Sequence, residues 1–564
     1  MWINETVFAA GLCYRYGLAV PLIALMAALG VMAKIRVPDA HTSLEIIRMR
    51  YGKIGHLVFV LLNLSCNVFG CASMILTGSQ LIYGISHMHF VAATMLIPLG
   101  VNLYTAVGGL KATFLTDYLH TAIALVLIIY FTLSVLTNEA VGADNKIAGN
   151  YEGSLLNMKS SGAIIWGLIL KFGNLALVVM DTAFWQKSFA AEVKATVPGY
   201  NLAALAIFGI PWGLRTVIGL SARAIHNTPI FPIYPGQLTT VEVNAGLVMP
   251  YTIKALMGDK GIVAFFVLLF MALTSTISSS IIAVSSILSF DVYKTYINPK
   301  ASDRRLVHVS HLAVIIHGIF TTGISLAMNY GGANMTWIGY FRPILICPGI
   351  LPLIFALTWS GQTRLAAITA PILGFATGIT IWLSVAKHMY GVVNLTSTGQ
   401  DLPALYGAIG SFFSPALYSI IISQYKPYNF DWREFLRIEL LEDAVLETPI
   451  PERSSTEASS ARDPEKISVS SGKSGAITTA LPSPLNAASP RIISLDNITH
   501  PFSEETLQEL HHCKRFFSGW TTVAVVWQFF AFGAVVIFPL YDGRHAIAKG
   551  SRGVWNAAQG YFGR

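Results

Sequence analysis

Apolar runs of about twenty residues recur along this chain, separated by short polar stretches. A helix needs roughly twenty apolar residues to cross a bilayer, so each run predicts a membrane span. Twelve such runs lie near residues 14–33, 55–83, 90–108, 117–137, 161–186, 199–223, 261–290, 308–329, 333–358, 363–386, 402–424 and 519–541. Residues 2–12 add a short apolar stub. The most informative run is uncharged from Gly261 to Phe290, between Lys260 and Asp291, and carries Thr274-Ser275-Thr276 at its midpoint. As a helix these residues would reach about 45 Å, enough to cross with tilt. Helical spacing puts Ala272, Ser275 and Thr276 on one face. Two hydroxyls at mid-membrane, with a backbone carbonyl beside them, are hard oxygen donors suited to a monovalent cation that must bind and leave. The same hydroxyls also suit close helix packing.

Composition agrees with the pattern. The 564 residues are 54% hydrophobic and only 12% charged, about half the charge of a soluble globular protein. The chain therefore reads as an all-α polytopic membrane protein. Its net charge of +8 calls for no nucleic-acid partner, since cytoplasmic loops of membrane proteins are normally basic. The five cysteines show no metal-ligand spacing, and P-loop, nucleophile-elbow and HExxH patterns are missing. The reading is not an enzyme, and no cofactor is expected.

Basic residues set the orientation. With the 34–54 loop in the cytoplasm, thirteen Lys and Arg at span ends fall inside, among them Lys34, Arg36, Arg48, Arg50 and Lys53, against seven outside. The sequon Asn394-Leu395-Thr396 then falls outside. The predicted organisation is a transmembrane core over 1–424, a polar insert over 425–518, a further span over 519–541 and a tail over 542–564. The stretch 450–490, rich in Ser, Pro and Thr and without aromatic residues, reads as disordered. It would serve regulatory kinases or the ubiquitin machinery, or act as an inert linker.

Several strings resemble the sodium:solute symporter family. They are Ala40-His41-Thr42-Ser43-Leu44-Glu45-Ile46-Ile47-Arg48, Tyr104-Thr105-Ala106-Val107-Gly108-Gly109-Leu110-Lys111-Ala112 with Thr116-Asp117, and Ser285-Ser286 through Asp291-Val292-Tyr293-Lys294. More narrowly the chain is similar to the family's urea active transporter branch of fungi and plants. That match rests on Asp181-Thr182-Ala183-Phe184-Trp185-Gln186-Lys187, Thr295-Tyr296-Ile297-Asn298-Pro299-Lys300-Ala301 and Phe516-Phe517-Ser518-Gly519-Trp520. The resemblance implies ten core helices in two inverted five-helix repeats, with substrate and cation at broken helices near the midplane. It makes 161–186 the counterpart of the first core helix, and Gly173-Asn174 interrupts the apolar run there as an expected break. It also aligns Met1 to Thr6 with the second half of a truncated first core helix. The expectation is then a misassigned start or a shortened paralogue, with one wall of the cation site missing.

Carried over residue by residue, the resemblance assigns Ala272, Ser275 and Thr276 to a cation, Na⁺ being possible there, and links Asp117 to coupling. Asp117 reads equally as a helix N-cap. His120, one turn on, is a candidate relay partner or an interfacial His. For the substrate side, urea is flat and neutral, with four N–H donors and one acceptor, so its site wants acceptors, one donor and an aromatic face. Asn174, Asp181, Trp185, Asn4 and Glu5 are the candidates, Asp181 being equally able to pair with Lys187 or Lys171. The implied function is uptake of urea across the plasma membrane by symport with H⁺ or Na⁺. Alternatives are a non-transporting nutrient sensor, an inactive truncated paralogue, or a symporter of another small nitrogenous solute such as a polyamine.

Overall fold

The computed structural model describes residues 26–38, 40, 42–138, 140, 161–191, 193–425 and 427–436, with residues 504, 508 and 511. Asn4, Glu5, the 519–541 span and nearly all of the polar insert lie outside the described residues. Within them, every regular element is helical: α1 (Ala28–Arg36), α2 (Ser43–Ser86), α3 (Phe90–Leu136), α4 (Ser161–Val179), α5 (Thr182–Ala190), α6 (Val193–Ile225), α7 (Thr240–Asn244) and α8 (Val248–Ser286, running on as a π-helix to Ile297). Next come α9 (Asp303–Tyr330), α10 (Met335–Ile346), α11 (Ile350–Thr358), α12 (Arg364–Tyr390), α13 (Leu395–Thr398) and α14 (Asp401–Tyr425), then a 3-10 turn over Trp432–Leu436. Seven helices among the described residues are long and apolar enough to cross a membrane, or eight if α4 and α5 form one bent span. The protein is a multi-pass membrane protein, and these candidate spans fall on apolar runs found in the sequence.

Two glycines break helices that the apolar pattern alone would run together. Gly52 (φ 72°) ends the short first part of α2 just before the span begins, and Gly258 (φ 63°) separates the start of α8 from its membrane portion. Both adopt a left-handed backbone that side chains with a Cβ disfavour. The runs 90–108 and 117–137 fall on one helical stretch, α3, whose apolar portions are Phe90–Ala106 and Leu115–Leu136.

The expected break at Gly173-Asn174 is not where the chain bends. Helix α4 runs through both residues, and the bend of 53° falls at Met180-Asp181, between α4 and α5. Asp181 caps α5 by accepting from Ala183 N at 2.9 Å, and the Trp185 indole reaches back to Val179 O at 2.8 Å. These two bonds satisfy backbone groups that a broken helix exposes. Gly173 serves packing instead: a Cβ there would lie 3.1 Å from Pro343 Cγ on α10.

The end of the bundle that carries the 34–54 loop is pinned by polar contacts. His56 on α2 lies 3.1 Å from Asp291 and 2.7 Å from Tyr296 Oη, both on the π-helical end of α8. Lys34 donates to Ala191 O and Arg36 to Leu357 O. Arg36 also sits 3.7 Å from the centre of the Trp432 ring, so the segment after α14 folds back over this face.

Helices α12 and α14 pack at a small-residue seam. A Cβ on Gly378 would run into the Ser411 hydroxyl and stand 3.1 Å from Ser411 Cα, and one on Gly374 would meet the Pro415 ring. The spacing Gly374-x-x-x-Gly378 lets the two backbones approach, which dispersion rewards in lipid. Gly378→Leu is expected to part the pair and reduce the amount of protein at the cell surface several-fold, read by surface biotinylation. A wild-type surface level would show that the seam does not matter.

Candidate cation and substrate site

Helix α8 presents its hydroxyls to α3. Ser275 donates to one oxygen of Asp117 at 2.7 Å, and Ser279, one turn further, donates to the other at 3.1 Å. Lys187 on α5 brings its ammonium within 3.8 Å of the same carboxylate and 3.5 Å of Ser279 Oγ. Three elements distant in sequence therefore meet at Asp117. The N-cap reading of Asp117 fails, because the residue sits well inside α3. Lys187, weighed from sequence as a partner of Asp181, stands beside Asp117. His120 faces the Thr274 hydroxyl at 3.5 Å, and the Tyr104 hydroxyl donates to Thr274 O at 3.2 Å.

The face read from spacing is divided in space. Ser275 turns towards Asp117, whereas Ala272 and Thr276 are exposed, and the Thr276 hydroxyl is spent on Ala272 O at 3.0 Å. Helical periodicity places these three residues on one face but does not say how wide that face is, and here its two edges meet different surroundings.

A second polar group lines the break between α4 and α5. Thr182 donates to Asn63 Oδ1 at 2.9 Å, Asn67 donates to Asn63 O at 3.0 Å, and Ser280 donates to Asn67 Oδ1 at 2.7 Å. Asn63, Asn67 and Thr182 are each at most 3% exposed. Because Ser280 follows Ser279, one turn of α8 connects the carboxylate of Asp117 to the helix break. Burying amides in an apolar bundle is favourable only when they are hydrogen-bonded. The sequence signal for this pair was Asn63 and Asn67 at helical spacing inside an otherwise apolar run.

The remaining candidates divide. Asn174 is 3% exposed and its Nδ2 has no hydrogen-bond partner. Asp181 holds the N-terminus of α5. Trp185 is fully buried, its ring stacked on Phe189 at 6.2 Å and its N–H spent on Val179 O; it holds the break shut from within. Arg215 lies 4.7 Å over the Trp166 ring, and Arg342 donates to Ser73 Oγ at 3.4 Å.

Residues 5–374 match the family model described as the sodium:solute symporter family. The chain is 34% identical over 592 residues to a probable urea active transporter 1 of Schizosaccharomyces pombe, covering 100% of this chain and 84% of that relative. It is 32% identical over 469 residues to a rice (Oryza sativa subsp. japonica) urea-proton symporter, covering 76% of this chain and 64% of that relative. A solved structure of a Na⁺-coupled sialic acid symporter, substrate-bound and outward-open, superposes with a TM-score of 0.52 at 15% identity, covering 76% of this chain and 91% of that one. That likeness concerns the fold, a broken-helix symporter architecture of two inverted five-helix repeats. With a helix break tied through serines to a membrane carboxylate, and with the family model matched over most of its length, this chain belongs to the sodium:solute symporter family.

Proposed function

We propose that the protein takes up urea, or a small neutral solute of the same chemistry, across the plasma membrane by cation symport with alternating access. The observation that carries this reading is the polar path from Asp117 through Ser279 and Ser280 to Asn67, Asn63 and the α4–α5 break. It couples the place where a cation would be held to the place where the helix opens, which symport requires. The names of the yeast and rice relatives support urea as the solute.

In this reading Asn174 supplies the donor to the urea carbonyl, since its amide N–H is buried and unspent. Asp181 supplies an acceptor at the break. Ser275 and Asp117 form the cation side, with Ala272 and Thr276 at its exposed edge. The coupling ion favoured is H⁺, because a carboxylate inside a span marks an ion or proton path. The name of the rice relative points the same way. A polyamine needs unspent carboxylates, whereas Asp117 and Asp181 are both engaged.

Labelled urea uptake in cells lacking their own carrier tests the reading. Saturable uptake is expected, and Asn174→Leu at normal surface level should lower it about tenfold or more, the cost of one lost buried donor. Urea uptake no greater than in empty cells would overturn the proposal.

A further inference from the structure

Lys187 is carried by α5, the helix beyond the 53° bend. Its ammonium crosses to two other helices, standing 3.8 Å from Asp117 Oδ2 on α3 and 3.5 Å from Ser279 Oγ on α8. Gln186 beside it donates to Ser286 Oγ, also on α8, at 3.0 Å. Elsewhere α5 is docked on α1 and α6: a Cβ on Gly30 would run into Ser188 Oγ, and the Tyr200 hydroxyl donates to Phe184 O at 3.2 Å. Two long polar side chains thus reach from α5 to the helices that hold the carboxylate.

The distances say what the ammonium does. At 3.8 Å it pairs with the carboxylate electrostatically but lies beyond hydrogen-bond length. Ser275 and Ser279 meanwhile donate to the two carboxylate oxygens at 2.7 and 3.1 Å without bringing charge. Lys187 therefore balances Asp117 while leaving its oxygens, with Ser279 Oγ, as hard donors that suit a small monovalent cation. Of the other ionisable groups close by, His120 and Tyr104 turn to Thr274, Tyr118 is exposed, and Asp181 caps the helix on which Lys187 rides. The pair at Asp117 is neutral with either the ammonium or a coupling ion, positive with both and negative with neither. Within a membrane bundle the two charged states are the costly ones.

We infer that Lys187 is a tethered counter-cation that competes with the coupling ion for Asp117; the inference rests on the transport reading above. Entry of the ion releases the ammonium and frees α5 from α3 and α8. Return of α5 brings the ammonium back and expels the ion. Because the Lys187 side chain is 45% exposed, the exchange can run through water. Ion release and movement of the broken span are then one event, which is what coupling requires.

The test replaces Lys187 by Met and by Cys, and follows urea uptake against external pH and against Na⁺ at fixed pH. Lys187→Met at normal surface level should need about tenfold less of whichever ion drives the wild type, its competitor being gone. Its maximal rate should fall several-fold, because release loses its push. Lys187→Cys should behave like Lys187→Met. Treatment with 2-aminoethyl methanethiosulfonate, which rebuilds an ammonium, should restore the wild-type ion dependence. The 2-hydroxyethyl reagent, which rebuilds only the bulk, should not; the parent chain under both reagents gives the background. Unchanged ion dependence in Lys187→Met, or restoration by both reagents, would overturn the competition and leave Lys187 as a plain tie between helices. The melting midpoint of the detergent-solubilised protein reads the ion without any solute. Its response to Na⁺ or to acid should set in at about tenfold lower concentration in Lys187→Met than in the wild type. That shift in a chain that takes up no urea would keep the tethered cation and overturn the transport reading; no shift would overturn the tethered cation whatever the uptake.

Discussion

Arg50→Ala is expected to destabilise the protein by more than about 3 kcal/mol and to remove most of it from the cell surface. The two terminal nitrogens of Arg50 fan out to five carbonyls: Phe355 and Ala356 at 3.2 and 2.6 Å, then Trp359, Ser360 and Gln362 at 2.7, 3.0 and 3.4 Å. These are the last carbonyls of α11 and the turn that follows, groups that a helix cannot satisfy by itself. The guanidinium is also attracted to the negative end of α11 and lies 4.8 Å from the Phe430 ring centre and 5.1 Å from that of Trp432. Removing it takes the charged donor from all five carbonyls, of which Phe355, Trp359 and Ser360 keep one backbone N–H each, and loosens the segment after α14. Arg50→Lys should fare nearly as badly, because one ammonium cannot span two nitrogens' worth of acceptors. The melting midpoint of the detergent-solubilised protein checks both; a lysine variant melting with the wild type would mean that charge alone matters.

Asp117→Asn is expected to lower uptake at least tenfold at unchanged surface level. The substitution keeps the shape and trades one accepting oxygen for an N–H that faces Ser279 and the Lys187 ammonium. Both hydroxyls of α8 lose the charged acceptor that orders them, and the ammonium loses its counter-charge. Ser275→Ala should show a smaller loss, and Thr276→Ala smaller again, since the Thr276 hydroxyl is exposed and spent on its own helix. Uptake measured at two pH values, with and without Na⁺, reads the ranking and names the ion. Wild-type uptake by Asp117→Asn would remove Asp117 from the coupling path, and a Thr276→Ala defect larger than that of Asp117→Asn would move the cation to the exposed edge of the face.

The spans were legible because hydrocarbon imposes one requirement everywhere: twenty apolar residues with their backbone bonded internally. The site was legible only in part. Asp117, Ser275 and Asn174 stand out as polar groups at positions that resist polarity, but their partners do not. Ser275 and Ser279 are 158 and 162 residues from Asp117, and no local pattern specifies that meeting. The break was misplaced because glycine reads as a helix breaker on composition, whereas Gly173 lies in a continuous helix against Pro343. The signal that does make the break was present as Asp181-Thr182, a carboxylate able to cap a new helix. Asn63 and Asn67 were visible too, yet their value depends on Thr182 and Ser280 arriving from later in the chain.

The basic residues that orient the chain have a second history. Arg50 waits some 305 to 312 residues of synthesis before its acceptors exist, and Arg36 waits 321 for Leu357. Until then these cations stay hydrated at the membrane face, where they resist being drawn across the bilayer. When α11 arrives they are withdrawn from water and become the anchors of its carbonyl end. Biogenesis therefore uses each charge twice, first as an address and then as a fastening. The surface these early helices share cannot close until the ninth run of the sequence has been threaded.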